Sequence, residues 1–470
     1  MIRFGTDGWR AIIAEEFTFK NVKRVVEAYA KNLKSKKRKN LKVAIGFDTR
    51  FLSPEFAKTA ASVLAKEGIK VEIFKEVLPS PALCLAIIER KLSGGLMITA
   101  SHNPYNFNGI KIKTEKGSPA LAEDTRRVEK LIKEASGKEL NFEKAKKSGK
   151  IEEIAYKKDY LKRLKSYVNF TLIKKKKLKI IHDSMYGAGG DLIEELFKNT
   201  AVSVDSFRAE INPSFCGISP EPISKNLDLI ITEMKKREHD LALVTDGDGD
   251  RIGAVLPGGK FLTPGWIMAL LLIHFVKNRK ERGVVVKTLS NSSLIKNIAS
   301  EYGLKIYETP VGFKHIAQIM QEEDVLIGGE ESGGIGFKNY IPERDGILSG
   351  LLLIEMMAYE SKGIEDIIAS VEKKFGRYHY QRIDMHYPDR LKPKLFKEFK
   401  RKEIKKIAGY DVVNYENYDG VKFTLRDGSW LIFRLSGTEP ILRIYSESKS
   451  IKKVKQLLDF GSKFALSINA

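Results

Sequence analysis

Cysteine and long apolar runs are both scarce in this chain of 470 residues. The two cysteines, Cys84 and Cys216, lie far apart and form no metal-ligand motif, so we expect them to be small buried side chains in a reducing cytoplasm. No apolar stretch reaches the roughly 18 residues of a membrane span. The opening residues, MIRFGTDGWR, lack the apolar region of a signal peptide. These absences predict a cytoplasmic protein with no membrane association.

Two nucleotide-binding signatures are also missing, because the chain has no Walker A lysine loop and no Gly-x-Gly-x-x-Gly sequence opening a helix. Acidic residues are outnumbered, 60 against 82 lysines and arginines, which gives a net charge of +22. Lysine runs such as 34–39 and 174–177 could bind nucleic acid, but they fall where helices end or domains join, without interleaved aromatic residues. We interpret them as a solvated basic surface that attracts anionic substrates, not as a specific nucleic-acid site.

The order of apolar segments predicts an α/β protein with several domains. A strand–helix–strand unit occurs three times, at 42–74, 178–207 and 283–307, which predicts three similar α/β domains with mixed, mostly parallel sheets. Beyond residue 376 short strands and a lysine-rich helix at 391–407 indicate a smaller α+β domain. The predicted domains are listed in chain order as residues 1–140, 150–257, 258–375 and 376–470.

Two helices can be predicted from single features. The apolar segment 266–276 is too short for a membrane span and indicates a buried helix. The segment 345–361 begins with Asp345 and is followed by Gly363, which suit an N-cap and a C′ position.

Three carboxylates at alternate positions follow the apolar run 241–244, in the segment DGDGDR at 246–251. Side chains with this spacing project to one side, where Asp246, Asp248 and Asp250 repel one another unless a cation lies among them. Oxygen ligands of this kind suit Mg²⁺ or Ca²⁺. A solvated turn is the alternative, whereas an EF-hand is excluded because Pro257 stands where its glutamate is required.

A serine loop, TASHNP at 99–104, follows the apolar run 95–98. The hydroxyl of Ser101 would lie at the end of a strand, free to react. The alternative is an Asn-Pro turn in which Ser101 makes local backbone hydrogen bonds. No Gly-x-Ser-x-Gly sequence surrounds it, so a hydrolase nucleophile elbow is excluded.

Three further loops carry polar groups suited to ligands. RLSGTEP at 434–440, with Arg443 beyond it, combines guanidinium groups, hydroxyls and a glycine, which predicts a phosphate nest rather than a polar turn. GGEESGG at 328–334 offers carboxylate and hydroxyl groups to sugar hydroxyls, with an exposed acidic loop as the alternative. GTDGWR at 5–10 adds a tight turn with an arginine.

Taken together and in this order, FGTDGWR, TASHNP, DGDGDR, GEESGG and RLSGTEP resemble the α-D-phosphohexomutases. That family includes phosphoglucomutase, phosphomannomutase and phosphoglucosamine mutase. The resemblance covers essentially the whole chain. It implies four domains around one central cleft, with the fourth a mobile phosphate-binding domain, and an enzyme that transfers a phosphoryl group within hexose phosphates.

The resemblance also implies roles for particular residues. Ser101 matches the phosphorylated serine, and the three aspartates match the Mg²⁺ ligands, with an oxygen of the Ser101 phosphate completing the site. The pair that contacts the sugar corresponds to Glu330 and Ser332. The positions matching the clamp on the non-reacting phosphate are Arg434, Ser436, Gly437 and Thr438, with Arg443 nearby. The residues in or near motifs that line the reaction centre are Arg10, His102, Lys111 and Arg251.

The expected chemistry follows from those roles. Mg²⁺ and Arg251 would stabilise charge on the moving phosphoryl group. Either Lys111 or Lys314 could take the hydroxyl proton, provided that neighbouring cations lower its pKa. Ser101 would give its phosphate to a hexose monophosphate, and the hexose 1,6-bisphosphate intermediate would reorient and return the other phosphate. The same bisphosphate is the expected activator.

The sugar preference is predicted from the loop at 328–334. Phosphoglucosamine mutases typically read Glu-Gln-Ser-Gly-His there, and this chain has a second glutamate and Gly334, which argues against an amino sugar. The Glu-Glu-Ser triplet and the run TPVGFK look more like phosphoglucomutases, so we expect glucose phosphates to be preferred and mannose phosphates to be accepted. Phosphomannomutase activity and a metal-dependent sugar-phosphate phosphatase stay open as alternatives, as does the oligomeric state, whereas the intact serine and three aspartates argue against a silent sugar-phosphate sensor.

Overall fold

The structure is a computed structural model that describes residues 2–36, 38–134, 140–401, 404–435 and 440–468. These residues form four domains around a central cleft, each built on one sheet. Within the described residues, no helix is both long and apolar enough to cross a membrane.

The first domain has a mixed six-stranded sheet in the order β1-β5-β4-β2-β3-β6. Its strands are β1 (Trp9–Ile12), β2 (Lys42–Phe47), β3 (Lys70–Phe74), β4 (Gly95–Ile98), β5 (Phe107–Lys113) and β6 (Ile151–Ile154). Its helices are α1 (Phe19–Ser35), α2 (Ser53–Lys66), α3 (Ser80–Glu89), α4 (Ala122–Leu131) and α5 (Phe142–Lys147). Because β6 pairs in parallel with β3, this sheet extends beyond the predicted end of the domain at residue 140.

The second domain has a five-stranded sheet in the order β11-β10-β9-β7-β8. Its strands are β7 (Lys179–Asp183), β8 (Ser203–Phe207), β9 (Leu241–Thr245), β10 (Ile252–Leu256) and β11 (Lys260–Leu262). Its helices are α6 (Lys157–Tyr167), α7 (Phe170–Ile173), α8 (Leu192–Phe197) and α9 (Asp228–Met234). The pairing of β11 with β10 carries this sheet past the predicted boundary at 257.

The two cysteines differ in their surroundings. Cys84 lies within α3 and is buried, as predicted. Cys216 lies in the connection between β8 and α9 and is exposed, so the prediction of a buried side chain was wrong for this residue.

The third domain has a four-stranded sheet in the order β13-β12-β14-β15. Its strands are β12 (Val284–Thr288), β13 (Ile306–Thr309), β14 (Val325–Gly329) and β15 (Ile335–Phe337). Its helices are α10 (Pro264–Ile273), α11 (Ser293–Glu301), α12 (Phe313–Glu322), α13 (Gly346–Glu360) and α14 (Ile364–Phe375). The apolar segment at 266–276 is buried as predicted, although the chain turns from α-helix to a π-helical turn at His274.

Helix α13 begins as the sequence predicts and ends differently. The Asp345 carboxylate accepts a hydrogen bond from the backbone N–H of Leu348 at 2.8 Å, as an N-cap does. The helix ends at Glu360, and the φ of +49° at Ser361 places this next residue in the left-handed region. Gly363 has a φ of −63° and precedes α14, so the prediction of Gly363 as the C′ residue was wrong.

The C-terminal domain is a six-stranded antiparallel sheet in the order β16-β21-β20-β19-β18-β17. Its strands are β16 (His379–His386), β17 (Lys406–Ile407), β18 (Tyr410–Glu416), β19 (Val421–Leu425), β20 (Trp430–Leu435) and β21 (Ile441–Ser448). Its helices are α15 (Lys392–Arg401) and α16 (Ile451–Ser467). The predicted helix over 391–407 was too long, because residues 406–407 form a strand with β18.

One topological position recurs in the first three domains. The strands β4, β9 and β14 each lie between a parallel partner and an antiparallel partner. Each of these strands leads directly into one of the polar loops found in the sequence, namely 99–104, 246–251 and 330–334. The repeated topology therefore brings those three loops to the ends of equivalent strands, where α/β sheets place their ligands.

Candidate active site

Ser101 lies at the first position after β4 at which the chain turns back, and it is fully buried. Its Oγ donates a hydrogen bond to Asp246 Oδ2 at 2.8 Å and lies 3.4 Å from His102 Nδ1. The backbone of the carboxylate loop, residues 246–251, packs against Ser101 so closely that a Cβ on Gly247 would lie 2.3 Å from the carbonyl oxygen of Ser101. Only glycine permits this approach. The structure therefore joins the serine loop of the first domain to the carboxylate loop of the second.

The three carboxylates of that loop converge, with potential ligand atoms within 4.8 Å of one another. Asp246 Oδ1 accepts hydrogen bonds from the backbone N–H groups of Asp250 and Arg251, which curls the loop around its own side chain. Burial, together with the charges of Asp250 and Asp248, raises the pKa of Asp246 well above its usual value. Such a cluster is unfavourable unless a cation joins it.

Two oxygens in this cluster are left without a donor. Among the described residues, no hydrogen-bond donor reaches Oδ1 of Asp248 or Oδ1 of Asp250, although both atoms are buried. Buried polar atoms without partners are rare in proteins, and here they belong to the same carboxylate cluster as Asp246, which accepts the hydrogen bond of Ser101. The donor set, all oxygen and close to a buried serine, fits Mg²⁺. When bound, the ion would supply charge neutralisation for the three carboxylates and for a phosphoryl group on Ser101.

Lys111 lies on β5 with its ammonium group against the same loop. Its Nζ is 2.7 Å from Asp248 Oδ2, 2.8 Å from Asp250 Oδ2 and 2.9 Å from Asp7 Oδ2. Burial alone would lower the pKa of Lys111, but these carboxylates outweigh it and raise the pKa. Lys111 was predicted to accept a proton only if neighbouring cations lower its pKa. This condition is not met, because neighbouring carboxylates raise the pKa. Lys111 instead holds the carboxylates together.

Lys314, the other candidate base, stands apart from the carboxylates. It lies in the first turn of α12, half-buried, beside a small cavity that is also lined by Thr6 and Asp7. Burial lowers the pKa of Lys314 and outweighs the opposing charge of Asp7, and the Arg126 charge lowers it further. Of the two lysines, Lys314 is thus the one whose surroundings favour the neutral amine.

Arg10, Arg251 and His102 bring positive charge and a neutral imidazole to the serine. Arg251 Nε is 3.9 Å from carboxylate oxygens of Asp246 and Asp250, and Arg10 donates to Asn103 Oδ1 at 2.7 Å. Burial, then the Arg251 and Arg10 charges, holds the pKa of His102 well below its ordinary value, so its ring is neutral at pH 7. Two guanidinium groups beside a buried hydroxyl make an environment suited to a phosphoryl group.

The loop after β14 is joined to the carboxylate loop through an arginine, Arg344. Arg344, 2% exposed, donates to Glu330 Oε2 at 3.0 Å, to Asp250 Oδ2 at 2.7 Å and to Asp7 Oδ2 at 2.5 Å. Burial raises the pKa of Glu330, while Arg344 opposes this effect. Ser332 lies in the same turn and is partly exposed. Three domains thus meet at one guanidinium group.

The C-terminal domain supplies two arginines on neighbouring strands. Arg434 on β20 lies directly opposite Arg443 on β21. Arg434 Nε donates to Asp419 Oδ2 at 3.0 Å, and this carboxylate, although opposed by burial, raises the pKa of Arg434. The remaining predicted clamp residues, Ser436, Gly437 and Thr438, lie outside the residues that the structure describes.

Several charged or polar residues of this site were not predicted from the sequence, namely Asp7, Asp48, Arg50, Ser80 and Arg344. Asp7 stood inside a quoted motif, but only the arginine of that motif was singled out. Ser80 donates to Asp248 Oδ2, and its position after Pro79 gave no chemical signal. Arg344 precedes the helix cap Asp345, and a charged residue before a helix is ordinarily exposed. Their roles depend on burial, which the local sequence does not show.

Comparison with known proteins agrees with this geometry. The four family models of phosphoglucomutase/phosphomannomutase match, with α/β/α domain I at residues 1–139, domain II at 158–259, domain III at 264–375 and the C-terminal domain at 395–460. The chain belongs to this family, the α-D-phosphohexomutases, whose members catalyse intramolecular phosphoryl transfer and depend on Mg²⁺.

Similar proteins span more than one sugar specificity. A phosphoglucomutase/phosphomannomutase of Thermococcus kodakarensis is 32% identical, covering 98% of this chain and 97% of the relative. A phosphoglucosamine/phosphogalactosamine mutase of Sulfurisphaera tokodaii is 29% identical, covering 97% of each. A Thermus thermophilus structure described as a "putative phosphomannomutase" superposes with a TM-score of 0.87 at 34% identity, covering 98% of each chain. These relatives agree on the family of the chain, but their names differ in the sugar on which the enzyme acts.

Proposed function

We propose that this enzyme interconverts hexose 1-phosphates and hexose 6-phosphates through a phosphoryl group carried by Ser101. The observation that carries the proposal is the contact of the buried Ser101 hydroxyl with Asp246, next to two carboxylate oxygens that no described donor reaches. Phosphoryl transfer depends mainly on positioning and charge neutralisation, and the surrounding groups provide both.

Most of the predicted residues have a role in this proposal. Asp246, Asp248 and Asp250 would hold Mg²⁺, with an oxygen on Ser101 as a further ligand. Arg251 and Arg10 would stabilise negative charge on the phosphoryl group, and His102 would contact it as a neutral ring. Glu330 and Ser332 would bind sugar hydroxyls, and Arg434 with Arg443 would hold the phosphate that is not reacting.

The reaction would proceed in two phosphoryl transfers. A hydroxyl of the bound hexose monophosphate attacks the Ser101 phosphate, the serine O–P bond breaks, and hexose 1,6-bisphosphate forms. After the bisphosphate turns around, Ser101 attacks its other phosphate and the product monophosphate leaves. In each transfer the attacking hydroxyl loses its proton and the departing oxygen gains one, and Lys314, whose pKa burial lowers, is the group proposed to carry that proton. Added hexose 1,6-bisphosphate would activate the enzyme by phosphorylating Ser101.

We expect glucose phosphates to be preferred and mannose phosphates to be accepted. Glu330 lies against Arg344, and a Cβ on Gly334 would lie 2.1 Å from Arg344 Cδ, so the arginine occupies the space of any side chain at position 334. This arrangement supports the difference from the amino-sugar enzymes noted in the sequence. The 29% identical amino-sugar mutase makes glucosamine phosphate the substrate to test against it.

A coupled assay tests the proposal with glucose 1-phosphate, mannose 1-phosphate and glucosamine 1-phosphate in separate reactions with Mg²⁺. We expect formation of the 6-phosphates of glucose and mannose, stimulated by glucose 1,6-bisphosphate, with glucose the fastest. Release of inorganic phosphate at the same rate would identify a phosphatase instead. Fastest turnover of glucosamine 1-phosphate would overturn the sugar preference while leaving the mutase reaction in place.

A further inference from the structure

Ser101 has a backbone conformation that a serine rarely adopts. Its φ is +53°, in the left-handed region that residues with a Cβ avoid. Such a conformation persists only where the surrounding structure holds it. The hydroxyl direction depends on this backbone, so whatever holds the backbone also aims the Oγ at Asp246.

A single buried arginine contacts the carbonyl groups of this loop. Arg50, 1% exposed, follows β2, the parallel neighbour of β4. Its Nη2 donates to the carbonyl oxygens of Ser101 at 2.7 Å and Asn103 at 2.6 Å. Its Nη1 donates to those of Pro104 at 2.8 Å and Phe107 at 2.9 Å. One planar guanidinium group thus fixes four carbonyl groups around the turn.

The N–H side of Ser101 is held through the partner of that arginine. Arg50 Nε lies 3.2 Å from Asp48 Oδ2. The same Oδ2 accepts a hydrogen bond from Thr99 Oγ1 at 2.6 Å, and Thr99 Oγ1 accepts from the backbone N–H of Ser101 at 2.8 Å. The Asp48–Arg50 pair therefore closes a ring of contacts that holds both the amide and the carbonyl of Ser101.

The same segment also contacts the second domain, which carries the carboxylate loop. Thr49 Oγ1 donates to the carbonyl oxygen of Tyr186 at 2.7 Å, and the Arg50 guanidinium lies 5.0 Å from the centre of the Phe215 ring. Two residues beyond Tyr186, the Ala188 N–H donates to the carbonyl oxygen of Gly247 in the carboxylate loop. The pair is thus placed to keep the serine loop and the carboxylate loop in register.

We propose that Asp48 and Arg50 are positioning residues that hold Ser101 in its left-handed conformation and aim its oxygen for phosphoryl transfer. In this proposal neither side chain contacts the substrate or the metal. This inference rests on the proposed function of Ser101 and adds a cause for its geometry. Because misplacing a reacting atom slows chemistry more than it weakens binding, changes here should act on kcat rather than on KM.

The experiment compares Arg50→Lys with a matched control, Arg208→Lys. Arg208 forms the corresponding pair with the buried Asp183 at the end of β7, and its side chain makes no contact with the serine loop among those the structure describes. Enzyme phosphorylated on Ser101 is mixed with glucose 1-phosphate, and the first transfer is followed in a single turnover, per phosphorylated molecule. This normalisation removes any loss of folded protein from the comparison.

We expect Arg50→Lys to slow the single-turnover transfer by about 100-fold, because one ammonium cannot reach four carbonyl oxygens. The KM for glucose 1-phosphate should stay within about threefold. Arg208→Lys should lower Tm and leave the transfer rate unchanged. Transfer by Arg50→Lys at the wild-type rate, or an equal slowing in both variants, would overturn the proposal.

A second variant decides the matter if Arg50→Lys does not fold. Thr99→Val keeps the shape of the side chain and removes the hydroxyl that links the Ser101 N–H to Asp48. We expect the transfer to slow by about tenfold, and an unchanged rate would overturn the proposal. Failure of the wild-type enzyme to carry or transfer a phosphate on Ser101 would instead contradict the proposed function, so the two failures are distinct.

Discussion

The reacting end of the site and its C-terminal end are built differently. A large hydrophobic cluster runs through the first three domains from Trp9 to Val371, and it includes residues of β4 and β9, the strands that lead into the serine and carboxylate loops. The C-terminal domain has a separate cluster, from Tyr387 to Ala465. Several of its contacts with the third domain are polar, such as Lys422 Nζ to Glu308 at 3.1 Å.

This difference matches two different chemical demands. Phosphoryl transfer requires reacting atoms fixed in line, which a shared core provides. The arginines of the C-terminal domain must, under the proposed function, bind a phosphate in two orientations of the intermediate. Arg434 is paired with Asp419, and under the proposed function a phosphate would compete with that carboxylate. The loops of the reacting end thus follow strands of a shared cluster, whereas Arg434 at the C-terminal end is paired with Asp419 of its own domain.

The strongest test of the reacting end is Ser101→Ala. Without the hydroxyl there is no acceptor for the phosphoryl group, so turnover should fall by more than about a thousandfold. Mass spectrometry should show a phosphate on Ser101 of the wild-type protein and none on the variant. Near-normal turnover by the alanine variant would show that another residue carries the phosphoryl group. The contrast between the reacting end and the C-terminal end would then not hold.

Removing the metal should be almost as severe. A chelator should abolish turnover and added Mg²⁺ should restore it, since under the proposed function the ion neutralises charge on the phosphoryl group. Asp248→Asn should raise the Mg²⁺ concentration needed for half-maximal activity by at least about tenfold, because a neutral amide replaces a charged ligand. Full activity in metal-free buffer would exclude this site.

At the C-terminal end, Arg434→Ala should weaken substrate binding rather than chemistry. A charge-assisted contact with phosphate contributes about 1.5–3 kcal/mol, which corresponds to about tenfold or more in KM. The loss should occur in both directions of the reaction, with Mg²⁺ affinity and Ser101 phosphorylation retained. Arg426→Ala is the matched control, since that side chain is 80% exposed on the same domain. A defect in one direction only would show that Arg434 does not serve both orientations.

Glu330→Ala tests the proposed role of the loop at 330–334 in binding sugar hydroxyls. Loss of a partner for a sugar hydroxyl costs about 1–3 kcal/mol, so kcat/KM should fall for glucose and mannose phosphates alike. Steady-state kinetics with both epimers provide the measurement. A fall for one epimer alone would mean that the loop reads the C2 position, against the expected dual acceptance.

The smallest effect concerns stability in the shared core. Burial raises the pKa of Asp345 to about 7, against the hydrogen bonds that Leu348, Tyr340 and Tyr160 donate to it. Since its folded-state pKa lies above its unfolded value, the folded protein binds the extra proton, and stability falls as pH rises from about 4 to about 7. Asp345→Asn keeps a capping oxygen and should flatten this part of the pH profile of Tm. An unchanged profile would show that another group causes the dependence.

The site was predicted from the sequence wherever its residues form short motifs. The carboxylates at 246, 248 and 250 share one side because of their spacing, and β9 before them is apolar enough to be recognised as buried. The serine loop was found for the same reason. The three repeated α/β units and the smaller C-terminal domain of strands and helices were also predicted, because periodicity records which face of a strand or helix is buried.

The errors arose where pairing between distant segments decided the outcome. The strands β6 and β11 joined the preceding sheets, which moved the predicted boundaries, because strand pairing is a long-range contact that local pattern does not encode. Lys111 was considered as a base on the condition that neighbouring cations lower its pKa. The fold surrounds it with carboxylates instead.

By itself, then, the sequence determined the chemical groups of the site and the strands that carry them, since both are written in residue type and spacing. Only the tertiary structure decided how those groups are charged and held. Arg344 and Arg50 are ordinary basic residues in the sequence, yet folding buries each one and surrounds it with oxygen atoms from distant segments. A buried guanidinium must pair with whatever oxygens the fold places around it, because it has lost its water, and that set of partners exists only in three dimensions.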